Sequence, residues 1–410
     1  MTDLNFNSAL DVVNFLETHN SKLIINVATD AVGHVLAEFD NFACMQALGD
    51  VSASENHLYI GPREERVATV MKLYGDSLTL KSWLSPLAPE IARSIALFRP
   101  DLTVDVGISS VKIAPAENVT TISIADDFVI YRPDSYGRML DDFVAYYRRK
   151  LDAFTMMQTR SLFTMPEGEL RQFQLPADLE SLIDSRGRRL ALIQIKASKW
   201  HSGGAGATDV SSYLPALEYL REMDYQLVQV GREYYPSAFA RLGVVNYSNS
   251  PLASFENDFF LFSNAGFSLT APSGIALFSD LMMTPYVVTN NWWHGVPPFS
   301  PYAVSVPALA RLRKDGSMLT FDEQNQLAAA HGVNFPKESH EPISPDGTDI
   351  LAATIEALDL RENLTMPNDN QLLYRQLPTP PGLSSICSPY CLSRISAAYA
   401  ERHRHLLCPE

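Results

Sequence analysis

The sequence has few cysteines and few basic residues. Four cysteines in 410 residues exclude the disulfide scaffold on which small secreted domains depend. Lys and Arg number 32 against 47 Asp and Glu, which gives a net charge of −15. This balance excludes an extended nucleic-acid or anionic-membrane surface, because phosphates require clustered Lys and Arg. A small anionic ligand in a local pocket remains compatible with it.

Long apolar runs are also missing from the sequence. No stretch approaches the ~20 residues that are needed to span a bilayer, so we expect no membrane span. The segment Met1–Ser21 is polar and acidic, without the basic and apolar regions of a secretory signal. These features predict a cytoplasmic protein. The oligomeric state is left open.

The chain does have the length and apolar content for two domains. Apolar residues make up 46% of it, and 410 residues exceed one ordinary hydrophobic core. Strand-like apolar runs alternate with helical patterns in both halves, which favours the α/β class. The predicted division is an N-terminal α/β domain (1–165), a connection (166–188), a C-terminal Rossmann-like domain (189–345), and a C-terminal helix with a Pro/Ser-rich tail (346–410).

The predicted elements follow from apolar periodicity and from turn residues. In the first half, they are strands at Lys22–Ala28, His57–Ile60 and Leu102–Ile108, a β-rich Thr120–Tyr131, and helices at Val35–Leu48, Glu64–Leu73, Pro86–Phe98 and Tyr136–Phe154. In the second half, they are strands at Leu190–Ile195, Gln226–Val230, Gly243–Asn246, Phe267–Thr270 and Pro285–Thr289, and helices at Val210–Met223, Phe255–Asn264, Ile275–Leu281 and Thr348–Leu358. Such alternation predicts parallel βαβ units with ligands at the carboxyl ends of the strands.

A glycine-rich loop, Lys196–Asp209, joins a predicted buried strand to a predicted helix that Asp209 caps. Backbone N–H groups at a helix start can hold an anion, and Lys196 and Lys199 add positive charge. The glycines match neither a Walker A motif nor a G-x-G-x-x-G fingerprint. A plain surface loop is the alternative interpretation.

The pair Ser273–Gly274 lies between a predicted strand and the next helix. Ser273 can cap that helix, and Gly274 allows a phosphate to approach the backbone. A capped helix without a ligand is the more common use of such a pair.

The segment Thr289–Pro298 brings Asn and Trp side chains together at a predicted strand end. Trp292 offers a face on which a sugar or base can stack, and Asn290 offers hydrogen-bond donors and acceptors. Packing of the aromatic rings against the other domain is the equal alternative.

Gly33, His34 and Glu38 follow the first predicted strand. Gly33 permits a tight turn, and His34 and Glu38 are four residues apart, so they share one helix face. Either side chain can act as a general base in a cleft. A structural role is more common for a single His.

The C-terminal tail contains ligand types that bind zinc. Their spacing fits no usual zinc finger, so we predict no metal site, and a basic helix end is the simpler interpretation. The residues are Cys387, Cys391, His403, His405 and Cys408.

Four segments in order carry a family resemblance. They are DVSSYLPALEYLREMDYQLVQVG (Asp209–Gly231), FENDFFLFSNAGFSLTAPSG (Phe255–Gly274), PYVVTNNW (Pro285–Trp292) and PFSPYAVSVPALARLRKDGSMLTFDE (Pro298–Glu323). The chain resembles a bacterial glycosyltransferase family that is distantly similar to fucosyltransferases. That resemblance implies two Rossmann-like domains facing a cleft, the GT-B arrangement. It also implies a nucleotide-sugar donor as substrate rather than a cofactor, held mainly by the second domain, and an unknown acceptor on the first.

Several arginines of that family are missing here. The family strand that resembles Leu192–Lys196 ends in His-x-Arg, whose Arg is expected to hold the donor diphosphate. This chain has Gln194-Ile195-Lys196 there. Since Arg binds phosphate through a bidentate fork and Lys offers a point charge, we expect a donor site of altered charge. The other positions without the family's basic residues are Ala31, Gly206, Gln229, Val296 and Pro297.

The leading hypothesis is therefore a glycosyltransferase. His34, Glu38 or Asp209, in that order, is the expected base. The expected donor contacts are Gly33, Lys196, Lys199, Gly231, Ser273, Gly274, Asn290 and Trp292. One alternative is a non-catalytic scaffold or partner protein that kept the fold. Another is a transferase or oxidoreductase on an ordinary dinucleotide fold.

Overall fold

A computed structural model describes most of the chain in segments. These are residues 6–25, 32–52, 55–61, 66, 69–70, 80–84, 88–107, 122–124, 127–129, 135–157, 173–196, 207–292, 297–331, 335–377 and 390–407. The structure divides into two compact units, Met1–Leu162 and Phe163–Glu410. None of the helices in the described segments is long and apolar enough to cross a membrane.

Unit 1 is built on a parallel sheet with helices packed against it. Its four strands lie in the order β3-β2-β1-β4, and all neighbouring pairs are parallel. A separate antiparallel pair, β5 and β6, follows. The elements are α1 (Ala9–Thr18), β1 (Ser21–Ile25), α2 (Val32–Leu48), β2 (Asn56–Gly61), β3 (Leu80–Leu84), α3 (Ala88–Phe98), β4 (Thr103–Asp105), β5 (Ile122–Ile124), β6 (Asp127–Val129) and α4 (Ser135–Met157).

Local sequence explains how unit 1 begins. The Ser8 side chain accepts a hydrogen bond from the Asp11 backbone N–H, which caps α1. Val12 and Leu16 lie four residues apart on the helix and are both fully buried, in one core cluster with Leu23 of β1. The apolar face of α1 therefore covers the first strand.

Unit 2 contains a seven-stranded parallel sheet in the order β15-β12-β11-β10-β7-β8-β9. A two-stranded antiparallel ribbon, β13 and β14, lies outside it. The strands are β7 (Arg189–Ile193), β8 (Tyr225–Gln229), β9 (Val245–Asn246), β10 (Ala265–Thr270), β11 (Tyr286–Thr289), β12 (Ala303–Val306), β13 (Leu309–Leu312), β14 (His340–Ile343) and β15 (Arg394–Ile395). The helices are α5 (Ala177–Ile183), α6 (Val210–Glu222), α7 (Ser237–Arg241), α8 (Phe255–Ser263), α9 (Ala276–Leu281), α10 (Phe321–His331), α11 (Gly347–Glu362), α12 (Asp369–Arg375), α13 (Ala397–Arg402) and α14 (Arg404–Leu407).

The core of unit 2 continues into the C-terminal part of the chain. Ile350 of α11 and Tyr399 of α13 belong to the same apolar cluster as the central strands. A Cβ atom at Gly347 would lie 2.8 Å from Pro215 Cγ of α6, so glycine is what permits this close approach of α11 to α6. The C-terminal segment, which the sequence suggested as a separate helix and tail, supplies the edge strand β15.

The predicted α/β class with parallel sheets is confirmed. Most predicted helices and strands are present with shifted ends; α2, for example, begins at Val32 rather than Val35. The sequence missed β3 and strands β12 to β15. Of the predicted helix Glu64–Leu73, only residues 66, 69 and 70 are described.

Candidate functional site

The order of strands in unit 2 reverses between β7 and β10. From β7 the chain proceeds to β8 and β9 on one side, then returns to β10 on the other side and continues outward to β11 and β12. At such a switch point, the loops after the two central strands leave in opposite directions and open a crevice at the carboxyl edge. The first place to look for a ligand site is therefore just after Ile193 and Thr270.

Lys196 lies at this switch point. It follows β7 by three residues, and its Nζ donates a hydrogen bond of 2.8 Å to the carbonyl oxygen of Pro272, just beyond β10. Burial lowers the pKa of Lys196, and the charge of Glu233 partly offsets this effect. Among the described residues, no carboxylate lies within ion-pair distance of Nζ. The ammonium group thus has one neutral protein acceptor and further N–H donors for a ligand.

Gln194 joins the two central strand ends. Its Oε1 accepts a 2.9 Å hydrogen bond from the Ala271 backbone N–H, and its Nε2 donates to the Ile195 carbonyl at 2.6 Å. The side chain is 4% exposed, so it holds the crevice floor without competing with Lys196 for a ligand. A single glutamine inside the apolar run LALIQI was the sequence signal for this position.

The glycine-rich loop is closed at its base by two hydrogen bonds. The Lys196 backbone N–H donates to Thr208 Oγ1, and the Thr208 N–H donates to the Lys196 carbonyl, both at 3.0 Å. Residues 197–206, which include Lys199 and Gly206, lie outside the described part of the chain. Asp209 is exposed and caps α6 through hydrogen bonds from the Ser211 backbone N–H (3.0 Å) and hydroxyl (2.8 Å).

Two buried side-chain oxygens at the same sheet edge have no hydrogen-bond partner among the described residues. They are Gln229 Oε1 at the end of β8 and Asn290 Oδ1 just after β11, and both residues are 0% exposed. A buried acceptor without a donor costs free energy, roughly 1–3 kcal/mol. Gly231, two residues after Gln229, has φ of +93°. A Cβ atom at Gly231 would lie 3.4 Å from Gln194 Cγ. Glycine therefore turns the chain at the edge of the crevice.

A hydroxyl network fixes the end of β11. Tyr213 of α6 and Thr289 share a 2.8 Å hydrogen bond, and Asn290 Nδ2 donates to Thr289 Oγ1 at 3.1 Å. Burial raises the pKa of Tyr213 to about 12, so its phenol remains protonated near neutral pH. Asn290 has φ of +58°, a conformation that Asn tolerates better than most residues. This network positions Asn290 at the carboxyl edge.

Ser273 and Gly274 lie next to the carbonyl group that Lys196 contacts. Helix α9 has Ile275 as its N-cap, with no side-chain capping bond. Ser273 instead accepts a 3.3 Å hydrogen bond from the Ile275 N–H, so it stabilises the turn before the helix rather than capping it. Gly274 is exposed.

Trp292 is packed in the protein interior. It is 6% exposed and meets Phe335 edge-on, with ring centroids 5.3 Å apart, in a cluster with Leu319 and Ala310. The ring of Trp292 is packed against protein, but its described neighbours belong to its own unit, whereas the sequence had suggested packing against the other domain. We therefore leave it out of the proposed donor contacts.

Two of the three residues expected to supply a base, His34 and Glu38, lie in unit 1. Helix α2 begins at Val32 and contains Gly33, His34 and Glu38, so the predicted helical register of His34 and Glu38 is present. Glu38 is 0% exposed. The side chain of His34 lies outside the described part of the structure.

The tail residues with zinc-binding side chains do not form a cluster in the described region. Cys391 is buried and its Sγ donates to the Pro297 carbonyl at 3.8 Å, while the rings of His403 and His405 are 6.3 Å apart. No group of three His, Cys, Asp or Glu side chains suited to a metal is found among the described residues. Cys387 and Cys408 are not among them.

Comparison of the sequence with models of known families and with curated proteins finds no match. Comparison of the fold with solved structures finds several glycosyltransferases. The iron-containing dodecameric glycosyltransferase TibC from enterotoxigenic E. coli H10407 is 13% identical, with a TM-score of 0.38 over 69% of this chain and 62% of TibC. This chain thus spans less than two thirds of the length of TibC.

Two further similar structures are E. coli heptosyltransferases. Lipopolysaccharide heptosyltransferase II is 11% identical, with a TM-score of 0.43 over 83% of this chain and 99% of that one. WaaC with ADP is 10% identical, with a TM-score of 0.34 over 70% and 91%. At these values the likeness concerns the fold alone. None of the three is a fucosyltransferase, so that distant resemblance stays a prediction.

Proposed function

We propose that this protein is a glycosyltransferase that binds the diphosphate of a nucleotide-sugar donor at the switch point of unit 2. The observation that carries the proposal is the position of Lys196 between the ends of β7 and β10, with Nζ 2.8 Å from the Pro272 carbonyl. A half-buried ammonium with a neutral acceptor, in the crevice where α/β sheets bind ligands, suits a phosphate group. The sequence resemblance supplies the reaction class.

Lys196 acts on the leaving group in this proposal. In a direct displacement, the acceptor hydroxyl loses its proton to a base, its oxygen bonds to the anomeric carbon, and the bond from that carbon to the diphosphate oxygen breaks. Negative charge then grows on the departing diphosphate. An ammonium fixed in a partly dehydrated crevice stabilises that charge more strongly than the same group in water.

The neutral polar groups around Lys196 bind the uncharged parts of the donor. Gln229 Oε1 and Asn290 Oδ1 are buried acceptors without protein donors among the described residues. Hydroxyl or amino groups of a sugar, ribose or base are the donors that complete them. One lysine with two neutral amides forms a less cationic site than the arginine set of the resembling family, and we expect correspondingly weaker binding of the diphosphate.

His34 remains first among the proposed bases. A base must reach the acceptor hydroxyl, to within about 2.6–3.2 Å or through one water. Glu38 is fully buried in unit 1, and Asp209 already accepts two hydrogen bonds as the cap of α6. His34→Gln is expected to abolish transfer while leaving donor binding intact.

The test is calorimetric titration with nucleoside diphosphates and nucleotide sugars. ADP-heptose is included because a second structure of TibC is a complex with ADP-D-β-D-heptose. A charge-assisted hydrogen bond contributes about 1.5–3 kcal/mol. Lys196→Ala is therefore expected to weaken binding about 10- to 150-fold. Lys196→Arg, which restores a bidentate donor, is expected to bind at least as tightly as the natural protein.

The matched control is Lys314→Ala in the same unit. The Lys314 side chain is 74% exposed, so its removal is expected to change the net charge without changing nucleotide affinity. If no nucleoside diphosphate or nucleotide sugar binds the natural protein, the proposal fails. Equal losses in the Lys196 and Lys314 variants would mean that Lys196 is not a donor contact.

A further inference from the structure

A small cavity lies at one edge of the unit 2 sheet, beside the edge strand β15 and away from the central switch point. It has a volume of about 20 Å³. Its polar lining comes from Ser305 of β12, Arg375 and Gln371 of α12, and Ser393 and Arg394 at the start of β15, and the rest of the wall is Pro297, Tyr374, Cys391 and Ile395. A buried water needs ~10–15 Å³ by the same kind of measure. The cavity therefore admits one compact group and excludes a nucleotide or sugar, which separates it from the proposed donor site.

Arg394 lines this cavity and is withdrawn from solvent. The residue is 7% exposed. Its terminal nitrogen donates to the Thr365 carbonyl at 2.8 Å, but its Nε has no hydrogen-bond partner among the described residues. An arginine cannot shed its proton to relieve such burial, so its charge requires compensation.

Arg375 brings a second guanidinium group to the same cavity. One of its terminal nitrogens donates to the carbonyls of Leu392 and Ser393, at 3.1 and 2.6 Å. Carbonyl groups solvate its N–H groups but do not neutralise its charge. Burial lowers the pKa of both arginines, and each is in electrostatic contact with a further group: Cys391 for Arg375 and Glu356 for Arg394.

The protein supplies only part of the negative charge that the buried Arg394 and the partly buried Arg375 require. Glu356 is the carboxylate that acts on Arg394, and its oxygens already accept hydrogen bonds from Gln371 Nε2 (2.7 Å) and the Ala397 N–H (2.8 Å). No ion pair of Arg375 or Arg394 within 4.0 Å is found among the described residues. Ser305 Oγ is also buried without a partner among them and can donate to an anion.

We propose that this cavity binds one compact monatomic anion, of the size of chloride, between Arg375 and Arg394. The anion completes the hydrogen bonding of Arg394 Nε and of the Ser305 hydroxyl and balances the second guanidinium charge. The bound anion contacts residues of β12, β15 and α12, so it stabilises the packing of the C-terminal segment against the sheet. This inference does not depend on the proposed glycosyltransferase function.

The test is the thermal unfolding midpoint of the full chain at constant ionic strength. Sodium chloride is compared with sodium gluconate, whose anion is too large for the cavity. Chloride is expected to raise Tm by about 1–2 °C, which corresponds to roughly 1–2 kcal/mol for a chain of 410 residues. Arg394→Gln is expected to remove the increase. Arg375→Gln provides the same comparison if the Arg394 variant does not fold.

Two controls separate this site from other anion effects. Arg221→Gln removes an exposed arginine at the end of α6 and is expected to keep the full increase. Lys196→Ala is also expected to keep the full increase. If the increase came from an anion bound at the proposed donor site, this variant would lose it. An equal Tm in the two salts overturns the proposal. An increase that survives in the arginine variants of the cavity overturns it as well.

Discussion

Lys150 and Lys196 are both removed from bulk water, but the two units surround the charge differently. In unit 1, Lys150 Nζ lies 2.9 Å from Asp40 Oδ2, with side chains 6% and 1% exposed. Tyr146 donates to the same carboxylate oxygen at 2.6 Å. In unit 2, Lys196 Nζ donates its hydrogen bond to the neutral carbonyl group of Pro272. The first lysine is neutralised inside the fold, whereas the second has charge available for a ligand.

This difference separates a structural lysine from a binding lysine. A buried ion pair with a third hydrogen-bonding partner joins α2 to α4, and breaking it leaves one charge without compensation. A half-buried ammonium without a neighbouring carboxylate destabilises the fold slightly, and a bound external anion offsets this by compensating its charge. Burial alone does not distinguish the two roles; the identity of the acceptor does.

The largest expected effect comes from exchanging each lysine for methionine. Lys150→Met leaves Asp40 buried without its cation, and we expect a loss of about 3–5 kcal/mol in the free energy of unfolding. Lys196→Met removes an ammonium that burial disfavours, so the change is expected to stay within about 1 kcal/mol. Urea unfolding curves of both variants provide the measurement. The double variant Asp40→Leu with Lys150→Met is expected to recover part of the loss, and equal losses in the two single variants would contradict the comparison.

A smaller effect is expected at Gly231. Its φ of +93° is unfavourable for a residue with a Cβ, so Gly231→Ala is expected to cost about 1–2 kcal/mol of stability. Gly187 has φ of +79° and open space around it, and Gly187→Ala is the matched control with a similar cost. Nucleotide affinity, measured by calorimetry, is expected to fall for Gly231→Ala alone, because only Gly231 borders Gln194. Unchanged affinity in both variants would remove Gly231 from the proposed site.

A further effect is a pH dependence from Asp258, a carboxylate that lacks the close cation of Asp40. Burial raises its pKa to about 7, against the lowering effects of the Tyr247 hydroxyl and of the Arg232 charge. Between pH 4 and 7 the carboxyl group of Asp258 therefore keeps a proton in the folded state that it has released in the unfolded state. Its contribution to the free energy of unfolding falls as the pH rises. We expect the slope of unfolding free energy against pH in this range to be less negative for Asp258→Asn. Identical slopes would place the pKa of Asp258 at its ordinary value.

Much of unit 2 was predictable from its sequence because the pattern is local. Capping residues such as Asp209 and the apolar strand runs gave α6, β7 and β8 nearly at their observed bounds. Strand β3 and the short strands β12 to β15 were missed, since such runs acquire their pairing from neighbours rather than from periodicity. The candidate site was predictable in part: Lys196 was named, and Gln194 was noted only as a departure from the family.

The sequence by itself determined the class of the fold, the positions of most elements, and the shortage of basic charge that makes Lys196 prominent. Only the tertiary structure decided which loops meet. Lys196 and Pro272 are 76 residues apart, and they touch because β10 pairs beside β7 rather than beyond β9. The same holds for Trp292, whose ring lies against Phe335, and for Arg375 and Arg394, which line one cavity. Local periodicity specifies helices and strands, but the burial of their apolar faces against one another sets the strand order, and the strand order forms the site.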